Sequence, residues 1–306
     1  MADDAKTRLA LIGAGGMLAA MMRQAAPPNF AICPLDLPDF DLTDREQVML
    51  DLKAVRPRII VNCAAYTDVD GCEANEELAM AVNGRGPGYL AEAAAELGAT
   101  LLHISTDYIF DGRKGAPYIE ADEPHPLCIY GRSKLAGEEA IRSSGLARYF
   151  IVRTSWLYGP GGKNFVATIL RLASEREELH VVADQVGTPT CTADLARAIY
   201  QLLALEQMRP AAPGLYGVYH YSGEGACSWH EFADEIVTQA RRLGHGMRAR
   251  RVVPIATADY PLPARRPAYS VMGKSKVRMR IRQAIPGWRE SLQSHLTQLF
   301  SESAHR

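Results

Sequence analysis

The sequence predicts an α/β protein, with a Rossmann-type doubly wound parallel sheet and a smaller α/β substrate-binding lobe. Three observations predict it. Short apolar runs alternate with helical spacing in the first half, a glycine-rich turn follows the first of these runs, and the pattern changes after Trp156. A chain of 306 residues with 47% hydrophobic residues can bury one large core or two smaller ones. Disorder as the main state is therefore excluded.

The predicted strands are apolar runs with few or no charges, as expected for strands that are buried on both faces of a parallel sheet. They are Arg8–Ile12, Phe30–Leu35, Ile59–Ala64, Thr100–Ser105 and Tyr149–Thr154. The predicted helices are Thr43–Val55, Asn75–Leu97 with Gly98 as its stop, Tyr130–Ser143, Asn164–Arg176 and Trp229–Leu243. Because strands and helices alternate, right-handed crossovers should bring the carboxyl ends of all strands to one edge, where ligands bind.

Composition and charge exclude several classes of function. Lys and Arg together number 34 and Asp and Glu 35, so the net charge is −1 and no nucleic-acid partner is expected. No apolar run reaches the roughly 18 residues of a membrane span, and Met1–Thr7 is polar, which predicts neither a membrane segment nor a secretory signal. The six cysteines form no CxxC pair, which favours reduced thiols and a cytoplasmic protein.

A glycine-rich turn follows the first predicted strand directly, since residues 13–19 are Gly-Ala-Gly-Gly-Met-Leu-Ala. Gly13 permits a tight turn, Gly16 lets the backbone approach a pyrophosphate, and the small Ala19 allows the helix to pack closely on the strand. The helix that begins here offers its N-terminal N–H groups and the positive end of its dipole to phosphates. The turn therefore predicts a dinucleotide site that includes Gly13, Gly15, Gly16 and Met17.

The end of the second strand bears on the choice of cofactor. A carboxylate at Asp36 can accept hydrogen bonds from both ribose hydroxyls and would repel a 2′-phosphate. No Lys or Arg between Cys33 and Phe40 offsets that repulsion. NADH is therefore favoured over NADPH, although both remain candidates.

Further residues along the same edge are predicted to line the cofactor site. Asp41 offers an acid to the adenine amino group, and Leu42 offers an apolar face to the ring. At the end of the third strand, small side chains would let the cofactor lie along the sheet, with a phenol and a hydroxyl beside it. These residues are Ala64, Ala65, Tyr66 and Thr67.

Tyr130 and Lys134 stand at i and i+4 on one face of a predicted helix. We expect the ammonium to lower the pKa of Tyr130 from about 10, which would make the phenol a usable general acid, and to hydrogen-bond the nicotinamide ribose. Ser105, Thr106 and Asp107 end the fourth strand, where the nicotinamide should lie, and a hydroxyl there can bind a substrate carbonyl oxygen. Together with the glycine-rich turn, these residues predict an oxidoreductase that uses NADH or NADPH.

The change in pattern after Trp156 predicts the domain organisation. Loops rich in Gly, Pro and aromatic residues separate the later helices, with prolines concentrated in Arg209–Gly214 and Tyr260–Pro267. We expect residues 1–155 to form the NAD(P)-binding domain, to which segments near 181–213 return. Residues 156–306 should form mainly the substrate-binding lobe.

Segments spread over nearly the whole chain resemble the extended short-chain dehydrogenase/reductase family and, within it, the dTDP-4-dehydrorhamnose reductases. They are Val61–Thr67, Ser105–Gly112, Tyr130–Glu138, Arg153–Tyr158, Asp184–Thr190, Ser228–Ala233 and Arg265–Ser270. The second and third of these segments are the most specific. Ala19 departs from the family's usual third glycine, a change that packing tolerates.

The resemblance implies that Thr106, Tyr130 and Lys134 are catalytic and that Asp107 and Trp156 contact the substrate. The implied reaction is reduction of dTDP-4-dehydro-6-deoxy-L-mannose to dTDP-L-rhamnose by hydride transfer from NADH or NADPH, as a step in polysaccharide biosynthesis. The expected partner is a nucleoside-diphosphate sugar, and a homodimer is one expected assembly. Some family members are described with Mg²⁺, but no carboxylate cluster for this ion maps onto the sequence.

Arg266 is a candidate for pairing with a diphosphate, because a guanidinium fork suits phosphate oxygens. Without the resemblance, Arg266 equally fits a surface arginine, and Trp156 fits a core aromatic residue at the interface between the lobes. These alternatives stay open at the level of the sequence.

Two other functions also stay open. A nucleotide-sugar 4,6-dehydratase or epimerase would share the fold, but dehydration needs an acid pair after the central threonine, and Thr106 is followed by Asp107 and Tyr108. A non-catalytic NADP-binding regulatory subunit, like the one that binds methionine adenosyltransferase, also resembles this family. The intact set of Thr106, Tyr130 and Lys134 disfavours that function.

Overall fold

The computed structural model describes residues 6–210 and 212–303, so most of the polar N-terminal segment lies outside the described residues. The strands in chain order are Thr7–Ile12 (β1), Phe30–Leu35 (β2), Ile59–Asn62 (β3), Thr100–Thr106 (β4), Tyr149–Thr154 (β5), Leu157–Tyr158 (β6), Glu178–Val182 (β7), Val186–Gly187 (β8), Thr190–Cys191 (β9), Gly217–His220 (β10), Cys227–Ser228 (β11) and Arg251–Ile255 (β12). The helices are Met17–Gln24 (α1), Arg45–Val55 (α2), Val69–Ala74 (α3), Glu76–Ala79 (α4), Gly86–Leu97 (α5), Ile129–Ser143 (α6), Phe165–Glu175 (α7), Thr192–Met208 (α8), Trp229–Arg242 (α9), Ser275–Arg278 (α10) and Trp288–Ser303 (α11).

Six parallel strands form the central sheet in the order β10-β5-β4-β3-β1-β2. The chain moves outward in one direction from β1 to β2 and in the other from β3 to β5. Between β1 and β3 the connections therefore diverge, which leaves a crevice at the carboxyl ends of these strands. The predicted doubly wound parallel sheet is confirmed.

The sheet is covered on both faces because its strands are apolar on both sides. Successive β1 side chains alternate between two cores: Leu9 and Leu11 pack with α1 and α8, whereas Ala10 and Ile12 pack with α2 and α5. All four side chains are at most 1% exposed. This arrangement holds the strand ends, and the loops that follow them, in fixed positions at one edge.

The chain leaves the sheet after β5 and later returns to it. Helix α8 packs against α1, where the Tyr200 hydroxyl donates to the Met22 carbonyl at 2.8 Å. Strand β10 then pairs with β5 at the edge of the sheet. A separate apolar core joins α7, α9 and α11 around the parallel pair β7 and β12, and includes Phe232 and Trp288. No helix within the described ranges is long and apolar enough to cross a membrane.

Two predicted elements differ from the observed ones. The predicted strand to Ala64 ends at Asn62, because the Asn62 side chain accepts a hydrogen bond from the Ala64 N–H at 3.0 Å and turns the chain. The predicted helix over 75–97 is divided, with a π-helical segment from Met80 to Arg85 between α4 and α5. That segment carries Asn83, whose side chain bonds outside the helix, and π-helical turns are frequent at functional sites. The predicted stop at Gly98 is confirmed, since this residue has a φ of 63°.

Candidate active site

The glycine-rich turn has the geometry that a dinucleotide diphosphate requires. Gly13 has a φ of 73°, and a Cβ atom there would lie 2.6 Å from the Ala64 nitrogen. Any side chain at this position would therefore push β1 away from β3. Gly16 is the N-cap of α1, but no side chain caps the helix and its first turn contains no acidic residue. The N–H groups of this turn remain available to an anion, so the residues fit the cofactor.

Eight of the predicted cofactor-binding residues line one cavity of about 380 Å³ beside the turn. They are Gly13, Gly16, Asp36, Asp41, Leu42, Ala64, Ala65 and Tyr66. Asp36 accepts hydrogen bonds from the Gly15 N–H at 2.6 Å and from the Leu37 N–H at 2.9 Å, which holds its carboxylate against the turn. One oxygen of Asp41 accepts from both the N–H and the hydroxyl of Thr43.

Asn83 is a residue that the sequence analysis missed. Its side chain accepts from the Tyr66 N–H at 2.9 Å, donates to the Tyr66 carbonyl at 3.0 Å and lies 3.1 Å from the Ser133 hydroxyl. It therefore fixes the loop after β3 against the helix that carries Tyr130. An isolated Asn in an apolar helical pattern gives no signal of this role, because its partners are distant in sequence.

A second cavity, of about 420 Å³, brings the predicted catalytic and substrate-binding residues together. It is lined by Gly16, Met17, Ala65, Thr67, Thr106, Asp107, Tyr130, Lys134 and Trp156, among others. The glycine-rich turn, the end of β4 and the first turns of α6 therefore face the same space. Arg266 is the one predicted substrate residue that lies outside this cavity.

Helix α6 is anchored to the sheet by a buried ion pair. Glu138 is fully buried and accepts from the Arg153 side chain at 2.9 and 2.7 Å, and from the Ser105 hydroxyl at 2.6 Å. These contacts join α6 to β4 and β5, the two strands beneath it. They fix the rotation of the helix and, with it, the direction in which Tyr130 and Lys134 point.

Lys134 is 2% exposed, and its amine donates to the Ile104 carbonyl at 2.6 Å. The amine also lies 3.2 Å from Nε2 of His103. Burial lowers the pKa of Lys134 to about 8, against the opposing effects of Glu138 and Cys63. The lysine is therefore held in the sheet edge rather than extended along the helix surface.

The predicted effect of Lys134 on Tyr130 is wrong in this structure. Burial raises the pKa of Tyr130 above its ordinary value of 10.0, and Asp107 adds to the increase. An interaction with the Thr106 hydroxyl works in the opposite direction but is smaller than the effect of burial. The spacing of Tyr130 and Lys134 indicates the ammonium but carries no information about the burial of the site. The phenol consequently retains its proton at neutral pH.

Asp107 carries an unpartnered polar atom inside the 420 Å³ cavity. The residue is 1% exposed, and its Oδ2 has no hydrogen-bond partner among the residues that the structure describes. Oδ1 accepts from the Thr106 hydroxyl at 3.2 Å. Burial raises the pKa of Asp107 to about 7, although the nearby hydroxyls of Ser270 and Thr106 act in the opposite direction. A buried carboxyl oxygen without a partner is suited to receive a ligand hydroxyl.

Trp156 has an unusual backbone conformation and a tight aromatic contact. Its φ is 47°, and its ring stacks on Trp229 with 3.4 Å between centroids and 8° between planes. A Cβ atom at Gly187 would lie 2.5 Å from the Trp156 ring. Both rings pack against the apolar core that joins α7, α9 and α11, and Trp156 also lines the 420 Å³ cavity. The contact between Trp156 and a substrate stays a prediction.

A third cavity, of about 680 Å³, lies in the smaller lobe among α7, β7 and residues 260–266. Tyr108 and Trp229 line both this cavity and the catalytic one. The Tyr108 ring also meets the Tyr130 ring edge-on, with 5.6 Å between centroids. The two cavities are therefore neighbours, which the sequence analysis did not foresee because both boundary residues resemble ordinary core aromatics.

Arg266 lines this third cavity, but its guanidinium is engaged by a protein carboxylate. Both terminal nitrogens donate to Asp70, at 3.0 and 2.7 Å. The neighbouring Arg265 lines the same cavity and is exposed. The contact between Arg266 and a diphosphate therefore stays a prediction. Asp70, which was not anticipated, joins α3 to the segment that carries Arg266.

Among residues 6–210 and 212–303, no three His, Cys, Asp or Glu side chains form a group suited to a metal ion. The six cysteines, all of them within the described ranges, are free thiols as expected.

Comparisons with known proteins agree with this geometry. A family model described as the RmlD substrate binding domain matches residues 7–301. The dTDP-4-dehydrorhamnose reductase of Sinorhizobium fredii is 42% identical over 284 residues, covering 93% of this chain and 95% of that protein.

Two solved structures illustrate the likeness of the fold. A dTDP-4-dehydrorhamnose reductase from Bacillus anthracis, in complex with NADP, superposes with a TM-score of 0.88 at 40% identity and covers 96% of this chain and 99% of that one. A Thermus thermophilus UDP-glucose 4-epimerase in complex with NAD superposes with a TM-score of 0.78 at 21% identity, covering 96% and 99% of the two chains. The epimerase likeness concerns the fold alone.

Proposed function

This chain belongs to the RmlD substrate binding domain family, and from that premise we propose that it is an NAD(P)H-dependent dTDP-4-dehydrorhamnose reductase. It reduces the 4-keto group of dTDP-4-dehydro-6-deoxy-L-mannose and so forms dTDP-L-rhamnose. The observation that carries the proposal is the convergence of Thr106, Tyr130 and Lys134 on one cavity with the glycine-rich turn.

The residues around the ketone have separate roles in the reaction. When bound, the reduced nicotinamide supplies the hydride that the C4 carbon accepts. The Tyr130 hydroxyl hydrogen-bonds the C4 oxygen and gives that oxygen its proton as negative charge develops. The Thr106 hydroxyl turns from Asp107 Oδ1 to donate to the same oxygen. The amine of Lys134 holds the ribose next to the cavity. The unpartnered oxygen of Asp107 accepts a sugar hydroxyl and orients the ring.

The rest of each ligand fits the neighbouring cavities. The first turn of α1 binds the cofactor diphosphate, and the 380 Å³ cavity holds its adenosine. The 680 Å³ cavity takes the nucleoside diphosphate of the substrate, with Arg265 and Arg266 at its wall. Because Tyr108 and Trp229 line both this cavity and the one that contains Tyr130, the sugar lies where the two cavities meet.

We propose a division of the chain that follows from this assignment. Residues 1–155 bind the cofactor, together with the returning segment that carries α8 and β10. Residues 156–306 otherwise form mainly the substrate-binding lobe. The returning segment extends beyond residue 213, the limit expected from the sequence, because β10 begins at Gly217.

The two other candidate functions have less support. Tyr108 stands where elimination across C5–C6 would need a second acid, and its burial raises its pKa. A regulatory subunit that does no chemistry would have no need for a proton donor, a hydroxyl and a buried lysine in one cavity.

The direct test is oxidation of the cofactor, followed at 340 nm, with dTDP-4-keto-L-rhamnose as substrate. We expect turnover with this sugar nucleotide and none with dTDP-glucose, which lacks the ketone. Cofactor binding without turnover would instead favour the regulatory function.

Lys134→Met should impair both cofactor binding and rate. Loss of the amine removes one hydrogen bond to the ribose, so the Kd for NADH should rise about tenfold, which corresponds to about 1.4 kcal/mol. Fluorescence titration measures that Kd, and steady-state kinetics measure the accompanying fall in kcat. Lys53→Met is the matched control, because Lys53 is exposed and pairs with Glu96 in α5. A stability change without a change in Kd would contradict the role of Lys134.

The preference for NADH that Asp36 predicts can be tested by removing its charge. Wild-type protein should show a lower KM for NADH than for NADPH, because the carboxylate held against Gly15 would face a 2′-phosphate. Asp36→Asn should lower the ratio of the NADPH KM to the NADH KM by about tenfold. Asp39→Asn removes an exposed charge from the same loop, away from the cavity, and should leave the ratio unchanged. A wild-type preference for NADPH would overturn the assignment.

A further inference from the structure

A row of buried polar side chains continues from Lys134 into the central sheet. His103 on β4 and Asn62 at the end of β3 are opposite each other in the parallel ladder, and both are 0% exposed. Nδ1 of His103 lies 3.0 Å from Nδ2 of Asn62, and Nε2 lies 3.2 Å from the Lys134 amine. The proposed function assigns no role to Asn62 or His103.

The direction of each hydrogen bond in this row follows from one backbone group. The Ala64 N–H can only donate, and it lies 3.0 Å from Oδ1 of Asn62, so the amide oxygen is on that side. The amide nitrogen of Asn62 must then donate to Nδ1 of His103, which therefore carries no hydrogen. Burial lowers the pKa of His103 well below its ordinary range, so the ring is neutral and its single proton is on Nε2.

The orientation of His103 has a consequence for Lys134. An ammonium group has only donors, so it cannot hydrogen-bond to the Nε2–H group that faces it. A neutral amine can accept from Nε2–H with its lone pair and still donate to the Ile104 carbonyl at 2.6 Å. The neutral form therefore satisfies both contacts, and the charged form leaves two buried donors opposed.

The other groups around the amine do not reverse this preference. Glu138, one turn along α6, favours the ammonium, but its oxygens already accept from Arg153 and Ser105. Cys63, after β3, acts in the same direction as Glu138, and its own burial raises its pKa so that the thiol stays neutral. Tyr130 is likewise uncharged at neutral pH. Burial outweighs these effects and lowers the pKa of Lys134 to about 8.

We propose that Asn62 and His103 are positioning residues that disfavour the ammonium form of Lys134, so that this amine exchanges its proton near neutral pH. The inference rests on the proposed function where it treats Lys134 as part of the catalytic site. In each turnover the Tyr130 O–H bond breaks and its proton goes to the substrate oxygen. We infer that the ammonium of Lys134, one turn along α6, is the group that returns a proton to the phenolate and then regains one from water. An acid whose pKa lies near the working pH suits this step better than one near 10.5.

Wild-type protein provides the first test, by NMR and without substrate. Protein labelled with ¹³C at lysine Cε should show a Lys134 signal, identified by its loss in Lys134→Met, that titrates with a midpoint near 8. Protein labelled with ¹⁵N in histidine should show His103 with its hydrogen on Nε2. A Lys134 midpoint of 10 or above, or a hydrogen on Nδ1 of His103, would overturn the proposal.

Substitutions at Asn62 then distinguish an effect on the protonation of Lys134 from a role in packing alone. In Asn62→Asp the new carboxylate accepts from Nδ1–H, so the His103 hydrogen should move to Nδ1 and the Lys134 midpoint should rise by at least one pH unit. Asn62→Ala adds no charge and should raise the midpoint by a smaller amount, because His103 is then free to change tautomer. A midpoint that moves less than 0.3 unit in both folded variants would overturn the proposal.

If neither variant folds, the wild-type measurements decide the outcome alone. Neither NMR measurement depends on turnover. Failure of the proposal for Asn62 and His103 can therefore be told apart from failure of the reductase assignment. Absence of turnover in the 340 nm assay, for example, would leave the Lys134 titration as it is.

Discussion

Tyr130→Phe is expected to reduce kcat by about 10²- to 10⁴-fold, the usual contribution of a general acid. The Kd for NADH should stay within about twofold of wild type, because the ring remains and only the proton donor is lost. The loss should appear in kcat rather than KM, since the proton transfer occurs only in the transition state. Burial keeps the Tyr130 phenol protonated, so the wild-type rate should not fall at neutral pH through loss of this proton.

Tyr149→Phe is the matched control for this experiment. Tyr149 begins β5, at the end of the sheet opposite the site, and packs against the core shared by α2 and α5. Its hydroxyl has no part in the proposed chemistry, so kcat should be unchanged. An equal loss of NADH affinity and rate in Tyr130→Phe would show that the phenol supports the structure rather than donates the proton.

Arg153→Met is expected to give the largest loss of stability, about 3–5 kcal/mol in the free energy of unfolding. The substitution leaves the Glu138 carboxylate buried without its main partner, and a buried charge without a partner costs far more than a lost surface contact. Urea unfolding monitored by circular dichroism measures the loss. Because Glu138 anchors α6, the variant should also lose activity in proportion to the fraction unfolded.

Arg142→Met provides a control within the same network. Arg142 also pairs with Glu138, at 3.3 Å, but its side chain is 40% exposed. A surface ion pair contributes about 0–1 kcal/mol, so this variant should unfold at nearly the wild-type urea concentration. Equal losses in the two variants would contradict the view that the buried pair fixes α6 to the sheet.

The sequence predicts the sheet well because its strands are buried on both faces and are therefore continuous apolar runs. Each predicted strand appears in the structure within two residues of its expected ends, and Gly98 ends its helix as expected. The smaller lobe is less predictable. Strands as short as β8 and β11 contain two residues each, and a run of two has no periodicity to detect.

In the site too, residues within short sequence segments could be predicted, whereas contacts between residues far apart in the chain could not. Tyr130, Lys134 and Thr106 lie in short segments whose spacing the sequence records, and they do line one cavity. The bonds of Asn83 to Tyr66 and of Asp70 to Arg266 join residues that are far apart in the chain. Periodicity carries no information about such pairs. Burial of Tyr130 was missed for the same reason, since it depends on the Tyr108 ring and on the cluster that contains Cys72 and Ala79.

The most direct measurement of the central claim is the fate of the cofactor's hydrogen. NADH or NADPH that carries deuterium at both hydrogen positions of nicotinamide C4 should be incubated with dTDP-4-keto-L-rhamnose, and the product analysed by NMR and mass spectrometry. Hydride delivery at the cavity of Thr106, Tyr130 and Lys134 predicts one deuterium at C4 of the product sugar, with a single configuration at that carbon. A product without deuterium, or with deuterium at another carbon, would contradict the assignment of this site.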